Sequence, residues 1–166
     1  CGAAMKEYGD LLAPDSDYAA RARAFSARVK DLTEYLAALP NQPVGTFDGR
    51  VTYQDPCHLA HAQRITEEPR ALLRGAGCSL VETQGADLCC GAAGIYSLVE
   101  PEMSAQLRAR KAAQFKEHHP DIIVTANPGC QMQYESAMRD AGIPARVMHI
   151  AELLDEAYQR ADEAQR

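Results

Sequence analysis

One short stretch, residues 121–126 with the sequence Asp-Ile-Ile-Val-Thr-Ala, constrains the fold more than any other part of the chain. It is apolar, rich in β-branched residues and only six residues long, and these properties predict a strand. A strand that does not alternate with polar residues is typical of a parallel sheet whose two faces are both covered by helices. We therefore expect residues 121–126 to form a central, buried strand.

Further strand predictions alternate with helix predictions along the chain. Strands are predicted at residues 49–54, 79–83 and 146–148, and helices at residues 66–75, from 101 onward, at 130–142 and at 150–158. Strands that alternate with helices imply a parallel sheet with right-handed crossovers. The predicted fold class is α/β, with a small parallel sheet of about four strands flanked by helices.

The helix that opens at Pro101 is predicted to be amphipathic. Its packed side is expected to carry Met103, Leu107 and Phe115, and its solvent side Arg108, Arg110 and Lys111.

Four of the six cysteines each follow a predicted strand, in the spacing C-x31-CC-x39-C. They are Cys57, Cys89, Cys90 and Cys130, and His149 follows the fourth strand. The carboxyl ends of the strands form the edge at which open α/β sheets bind ligands. We therefore expect the four thiols to converge there, which is what a four-cysteine metal or cluster site requires.

The adjacent pair Cys89 and Cys90 favours an external partner over a disulfide. Cα atoms joined by a trans peptide lie ~3.8 Å apart, whereas relaxed disulfides span ~4.4 to 6.8 Å. The small residues 91–94, Gly-Ala-Ala-Gly, leave space beside the pair. An iron-sulfur cluster is favoured over zinc, because the CxxC pairs typical of zinc sites are absent. A structural zinc module, a thiol-disulfide enzyme using Cys89 or Cys90, and four buried core thiols remain alternatives.

The remaining candidate residues have weaker predicted roles. Cys78, before a strand, is expected to be structural. His58 and His61 flank Cys57 and are expected to orient its loop, with a role as metal ligand or proton carrier as the alternative. Cys130 is expected at the start of a helix, where backbone N–H groups and the helix dipole favour the thiolate over the thiol. The glycines next to Cys90 and Cys130 would permit hydrogen bonds from backbone N–H groups to sulfur.

Composition and charge exclude several classes of protein. The formal charge is −6, with 23 acidic against 17 basic residues and no basic stripe, so no nucleic-acid partner is expected. No stretch approaches the ~20 apolar residues of a transmembrane segment. Six cysteines and no signal peptide indicate a reducing, cytoplasmic setting, with any contact to the inner membrane peripheral and through a partner.

An internal repeat defines the predicted domain organisation. Residues 29–36 and 147–154 both read V-x-x-[LI]-x-E-x-L, and each follows a cysteine that begins a short helix, Cys1 or Cys130. The periodic stretch 17–39 is therefore expected to break near residues 29–31. Residues 1–40 are predicted to be the end of a preceding repeat, 41–48 a linker and 49–160 the main domain. Since the chain opens on Cys1, we expect a fragment of a longer protein in which Cys1 serves a second, here incomplete, site.

Three segments carry a resemblance to a known family. They are Asp-Pro-Cys-His-Leu-Ala-His at 55–61, Cys-Cys-Gly-Ala-Ala-Gly-Ile-Tyr at 89–96 and Asn-Pro-Gly-Cys at 127–130. These segments resemble the cysteine-rich CCG domain of the heterodisulfide reductases, and most strongly that of the iron-sulfur subunits of glycolate oxidases. The first nine residues resemble the end of a preceding CCG repeat.

The resemblance implies an electron-transfer subunit. Such proteins pass electrons from a partner flavin (FAD) subunit that oxidises a 2-hydroxy acid, through iron-sulfur centres, toward a quinone or another acceptor. Cys57, Cys89, Cys90 and Cys130 would take the ligand roles, most simply of a 4Fe-4S cluster, and no catalytic acid, base or nucleophile is implied in this chain. The chain departs from the reductase pattern at Gln133, where that pattern ends in CxxC, so a five-cysteine enlarged cluster is not expected.

Overall fold

Four parallel strands form the centre of the molecule in the computed structural model, which describes residues 1–40, 47–164 and 166. The strands are β1 (Phe47–Gln54), β2 (Cys78–Leu80), β3 (Ile122–Thr125) and β4 (Arg146–His149). Their order in the sheet is β2-β1-β3-β4, and all three pairings are parallel. The predicted α/β fold is confirmed, and the predicted central strand is β3.

Ten helices occur among the described residues. They are α1 (Gly2–Lys6), α2 (Tyr8–Leu11), α3 (Ala19–Ser26), α4 (Leu32–Ala37), α5 (Cys57–Ala60), α6 (Glu67–Gly75), α7 (Tyr96–Val99), α8 (Pro101–His118), α9 (Pro128–Ala141) and α10 (Ile150–Ala164). In the described part of the chain, no helix is both long enough and apolar enough to cross a membrane.

The sheet is covered on both faces, because alternate residues of each strand point to opposite sides. On β3, Ile122 and Val124 contribute to one apolar cluster and Ile123 to the other. The first cluster is completed by residues of α6 and α10, and the second by residues of α8 and α9. The molecule therefore has three layers, with the sheet in the middle.

The strand order contains a reversal between β1 and β3. From β1 the chain crosses through α6 to β2 on one side, whereas β3 lies on the other side of β1 and is followed by α9 and β4. In open α/β sheets, ligands bind in the crevice outside the carboxyl ends of the strands at such a reversal. This crevice lies directly beyond Gln54 and Thr125.

Several predicted boundaries move by a few residues for identifiable reasons. Strand β1 begins at Phe47, so the last two residues of the predicted linker belong to the strand, while residues 41–46 lie outside the described residues. Strand β2 ends at Leu80 rather than at Thr83, because Thr83 turns inward and accepts a hydrogen bond of 2.8 Å from Gln54 Nε2. Helix α9 begins two residues before Cys130, because Asn127 caps it.

The predicted break near residues 29–31 is confirmed. Helix α3 ends at Ser26, and Asp31 is the N-cap residue of α4. The Asp31 side chain accepts a hydrogen bond from Thr33 N–H, and the Glu34 side chain accepts one from Asp31 N–H, which together form a capping box. Glu34 also accepts a 2.7 Å hydrogen bond from Lys6. Leu36 and Ala37 pack against the apolar cluster that α6 and α10 complete.

The predicted orientation of α8 is wrong at two positions. Met103, expected on the packed side, is 46% exposed, and Lys111, expected in solvent, is 1% exposed. Phe115 is fully buried, as predicted. Instead of Met103, its neighbour Ser104 is buried, and Ser104 Oγ donates a hydrogen bond to the Gly91 carbonyl in the cysteine loop.

Candidate metal centre

Three loops at one edge of the sheet carry the four predicted cysteines. Cys57 is the first residue of α5, Cys89 and Cys90 lie between β2 and α7, and Cys130 lies in the first turn of α9. Cys90 and Cys130 are buried, whereas Cys57 and Cys89 are exposed. The site therefore has a buried half against the helices and an open half at the surface.

The two buried thiols are in direct contact. Cys90 Sγ and Cys130 Sγ lie 2.9 Å apart and share a hydrogen bond. The hydrogen bond between the two sulfurs lowers the pKa of Cys90 to about 7. The pKa of Cys130 is raised by the same hydrogen bond, by burial, and by the negative charges of Cys90, Cys57 and Cys89. The other three thiols thus lie close enough to Cys130 for their charges to act on it.

The thiols are not drawn together as tightly as the ligands of a single ion. Within residues 1–40, 47–164 and 166, no three His, Cys, Asp or Glu side chains are gathered closely enough to hold one metal ion.

The loop after Cys90 depends on Gly91. This residue has φ +87°, and a Cβ built on it would lie 3.0 Å from the carbonyl oxygen of Ser104. Ser104 Oγ donates to the Gly91 carbonyl at 2.9 Å, and Gln133 Nε2 lies 3.4 Å from the same Oγ. Gly91 N–H also donates to Cys89 Sγ at 3.4 Å, which is one of the predicted N–H to sulfur bonds.

The turn into Cys57 is held by a buried ion pair that sequence reasoning missed. The two terminal guanidinium nitrogens of Arg70 donate hydrogen bonds to the carboxylate of Asp55, at 2.8 and 2.7 Å. The third nitrogen, Nε, donates to the carboxylate of Glu82 at 2.9 Å. The pKa of Arg70 is raised, first by the bonds to Asp55. The signal was present in the sequence, since Asp55 belongs to the Asp-Pro-Cys segment, but its partner lies on another element.

The three predicted histidines have different surroundings. His61 Nε2 lies 3.3 Å from the carbonyl oxygen of Asp87 and so links the Cys57 loop to the Cys89 loop, in keeping with the predicted orienting role. His58 Nε2 is buried and has no hydrogen-bond partner among the described residues, and burial lowers the pKa of this ring. His149 ends β4 and accepts from Ala151 N–H at 3.2 Å.

A second missed residue, Lys111, holds the segment that precedes the cysteine pair. Its Nζ donates to the carbonyl oxygens of Gly85 and Ala86, at 2.8 and 3.3 Å, and to Gln54 Oε1 at 2.9 Å. The sequence did contain a signal, because Lys111 lies four residues from both Leu107 and Phe115 and thus on their side of the helix.

The other two cysteines are not part of the three loops that carry the four thiols. Cys78 is the first residue of β2, is buried in the core beside Phe47, and has a pKa raised to about 11 by burial. Cys1 is exposed and occupies the N-cap position of α1, without a side-chain capping hydrogen bond.

Taken together, the fold and the site define a class: a small parallel α/β domain that brings cysteines from three loops to the carboxyl edge of its sheet. The sequence matches the CCG family, whose description is "Cysteine-rich domain", over residues 51–135. This match covers half of the chain and includes all four thiols. The chain belongs to the CCG cysteine-rich domain family.

Curated relatives extend the similarity over nearly the whole chain. The "Probable glycolate oxidase iron-sulfur subunit" of Bacillus subtilis (strain 168) is 40% identical over 163 residues, which cover 95% of this chain and 37% of that protein. The "Glycolate oxidase iron-sulfur subunit" of Escherichia coli (strain K12) is 37% identical over 161 residues, which cover 96% of this chain and 38% of that protein. The "Lactate utilization protein A" of Lysinibacillus sphaericus (strain C3-41) is 31% identical over 158 residues, which cover 93% of this chain and 69% of that protein. The chain thus spans little more than a third of the two glycolate oxidase relatives.

Proposed function

We propose that this chain is part of an iron-sulfur electron-transfer subunit of a 2-hydroxy acid oxidase, and that Cys57, Cys89, Cys90 and Cys130 hold its cluster. The observation that carries the proposal is the pairing of Cys90 Sγ and Cys130 Sγ at 2.9 Å, with the charges of Cys57 and Cys89 close enough to act on Cys130. Relatives named as iron-sulfur subunits of glycolate oxidase support the same interpretation.

The donor set fits an iron-sulfur cluster. Thiolates are the usual ligands of such clusters, and four of them suffice for a 4Fe-4S cluster, which when bound takes up and releases one electron at a time. The chain supplies Gly91 N–H as a hydrogen-bond donor to sulfur and small residues at 91–94 beside the pair. Gln133 occupies the position of a fifth cysteine and bonds to Ser104 instead, which favours four ligands.

The exposed half of the site suits electron exchange with other proteins. Cys57 and Cys89 lie at the surface, so a docked partner could bring its own redox group near the site. We propose that electrons come from a flavin (FAD) subunit that oxidises a hydroxy acid and leave toward a quinone or another acceptor. The relatives named for glycolate oxidase and lactate utilization support a 2-hydroxy acid as the substrate class. The setting proposed is cytoplasmic, with membrane contact only through the complex.

Cys1 is proposed to serve a second centre whose other ligands lie in a preceding repeat. Its support is the repeated segment, because residues 31–34 and 149–152 form the same local structure. Glu34 accepts from Asp31 N–H at 3.1 Å, and Glu152 accepts from His149 N–H at 2.7 Å. In the full-length protein, Cys1→Ser should therefore lower the iron count, and an unchanged count would contradict this part of the proposal.

The test of the proposed function is the cofactor content of protein purified without oxygen. We expect brown protein with bound iron and acid-labile sulfide, whose visible absorption bleaches on reduction and recovers when a quinone is added. Colourless protein with stoichiometric zinc would overturn the proposal in favour of a structural zinc module. Metal-free protein with a single reactive, low-pKa cysteine would overturn it in favour of a thiol-disulfide enzyme.

A further inference from the structure

The buried side chain of Lys111 is not explained by the proposed ligand set. Lysine is among the residues least often buried, yet this one is 1% exposed. The acceptors of its hydrogen bonds, at Gly85, Ala86 and Gln54, are all neutral. Its Nζ also lies 6.0 Å from the centre of the Tyr134 ring. A buried ammonium with only neutral acceptors is costly unless an anion lies nearby.

Carboxylates do not supply that anion directly. Among the described residues Lys111 forms no ion pair with a carboxylate. Asp55 is already bound by both guanidinium nitrogens of Arg70, and Asp87 is exposed to water. Carboxylates in these two situations can compensate a buried charge only in part.

The thiols of Cys90 and Cys130, which become thiolates when they bind a cluster, are buried on the same side of the sheet. They pack in one apolar cluster with Tyr134, beside which the ammonium of Lys111 lies. Burial lowers the pKa of Lys111 to about 8, while the negative charges of Cys90, Asp87 and Cys130 act in the opposite direction. Thiolates at Cys90 and Cys130 therefore favour the charged form of Lys111.

We infer that Lys111 is a positioning residue of the thiolate site, with two effects: its hydrogen bonds hold the loop that leads to Cys89 and Cys90, and its charge raises the reduction potential of the bound cluster. This inference rests on the proposed function. Reduction adds one negative charge to the site, and a fixed cation nearby stabilises the reduced form more than the oxidised form. Removing the cation should therefore make the cluster harder to reduce.

Three substitutions separate the charge from the hydrogen bonds. Lys111→Gln removes the charge but keeps donors for the loop carbonyls, Lys111→Met removes both, and Lys111→Arg keeps the charge. Lys116→Met is the matched control, since Lys116 lies on the same helix but is exposed to solvent. Each variant of the intact protein is prepared without oxygen, its iron is counted, and its reduction is titrated by electron paramagnetic resonance.

Lys111→Gln and Lys111→Met should lower the reduction equilibrium constant at least tenfold, which is about 59 mV for a one-electron couple. The reduction potentials of Lys111→Arg and Lys116→Met should stay within about 59 mV of the potential of the unaltered protein. Equal potentials in Lys111→Gln and the unaltered protein would overturn the inference and leave Lys111 a purely structural residue. If Lys111→Met does not fold, Lys111→Gln decides the question, because it retains donors to the loop. Unaltered protein without iron and sulfide would overturn the proposed function as well, so the two failures are distinguishable.

Discussion

Single side chains buried under the cysteine loops determine how firmly the thiols are held. The most direct case is Arg70, whose removal would leave the buried carboxylate of Asp55 without its partner, immediately before Pro56 and Cys57. We expect Arg70→Ala to lower the free energy of unfolding by about 3 kcal/mol, because an uncompensated buried charge remains. Urea unfolding of the metal-free protein measures this change.

Arg74 offers a matched control on the same helix. It pairs with Glu67 at 3.8 Å, and both side chains are more than half exposed. Arg74→Ala should therefore cost less than about 1 kcal/mol. Similar losses for the two arginines would show that the Asp55 pair does not stabilise the turn into Cys57.

The carboxylate of Glu34 predicts a pH dependence in the amino-terminal segment. Partial burial acts to raise its pKa, but hydrogen bonds from Lys6, Lys30 and Asp31 N–H outweigh this and lower the pKa from 4.5 to about 2. A pKa depressed by folding contributes stability that is complete above the unfolded value and is lost as the pH falls toward the folded value. Glu34→Gln should therefore be less stable than the unaltered protein at pH 6.

The difference between the two proteins should shrink as the pH falls from about 4.5 to about 2. Thermal unfolding of both proteins across this range is the measurement. A difference that does not change with pH would contradict the role assigned to the charge of Glu34.

Among individual residues, the sequence singled out the four cysteines of the candidate site but not the residues that support their loops. A cysteine after a strand has a predictable place, because the strand end fixes it. Arg70 and Lys111 were missed because long charged side chains are expected in solvent, and their partners lie 15 and 26 residues away in the sequence. Such pairings depend on the tertiary structure.

Among the elements, the loop from Cys90 to α7 is the most sensitive to substitution. Gly91 and Gly94 both have positive φ, at +87° and +65°, but only Gly91 is crowded. A Cβ at Gly91 would meet Ser104 at 3.0 Å, whereas a Cβ at Gly94 would meet nothing within 4 Å. Alanine substitutions at these two glycines therefore separate two contributions to stability: the strain of a positive φ, which both share, and the steric contact with Ser104, which only Gly91 makes.

We expect Gly94→Ala to cost about 1 kcal/mol and Gly91→Ala at least about 1 kcal/mol more. Only Gly91→Ala should reduce the iron retained by protein prepared without oxygen, because its Cβ displaces the loop from Ser104. Unfolding free energies and iron counts of the two variants check this. Equal effects would mean that the close approach to Ser104 does not position the cysteine pair.

Elements were predictable where the pattern was long or strongly apolar. β3 and α10 followed from such patterns, although α10 runs six residues beyond its predicted end. The four-residue helices α5 and α7 were not predicted, since one turn leaves too little periodicity to detect. The buried face of α8 was misjudged because two polar residues, Ser104 and Lys111, share it with Ala112 and Phe115.

For the whole molecule, α4 is the helix through which residues 1–40 contact the part of the chain that carries the sheet. Helix α4 packs against α6, and Lys6 links α1 to Glu34. Tyr8 and Phe25 stack with their ring centres 5.8 Å apart, and both remain substantially exposed. The sequence predicted that residues 1–40 would either pack on the predicted domain at residues 49–160 or leave an apolar patch exposed. In the structure α4 packs on α6, while Tyr8 and Phe25 are exposed. The order of the strands followed only from the structure, because alternation alone does not fix it.

The central claim is that Cys57, Cys89, Cys90 and Cys130 jointly hold one iron-sulfur cluster. The measurement that tests it most directly is the iron and acid-labile sulfide per chain in single Cys→Ser variants prepared without oxygen. Each of the four variants should lose the cluster, because a hydroxyl oxygen replaces a thiolate poorly at a soft site. Cys78→Ser, the buried control on β2, should retain it. Iron retained in Cys130→Ser, or lost in a correctly folded Cys78→Ser, would contradict the claim.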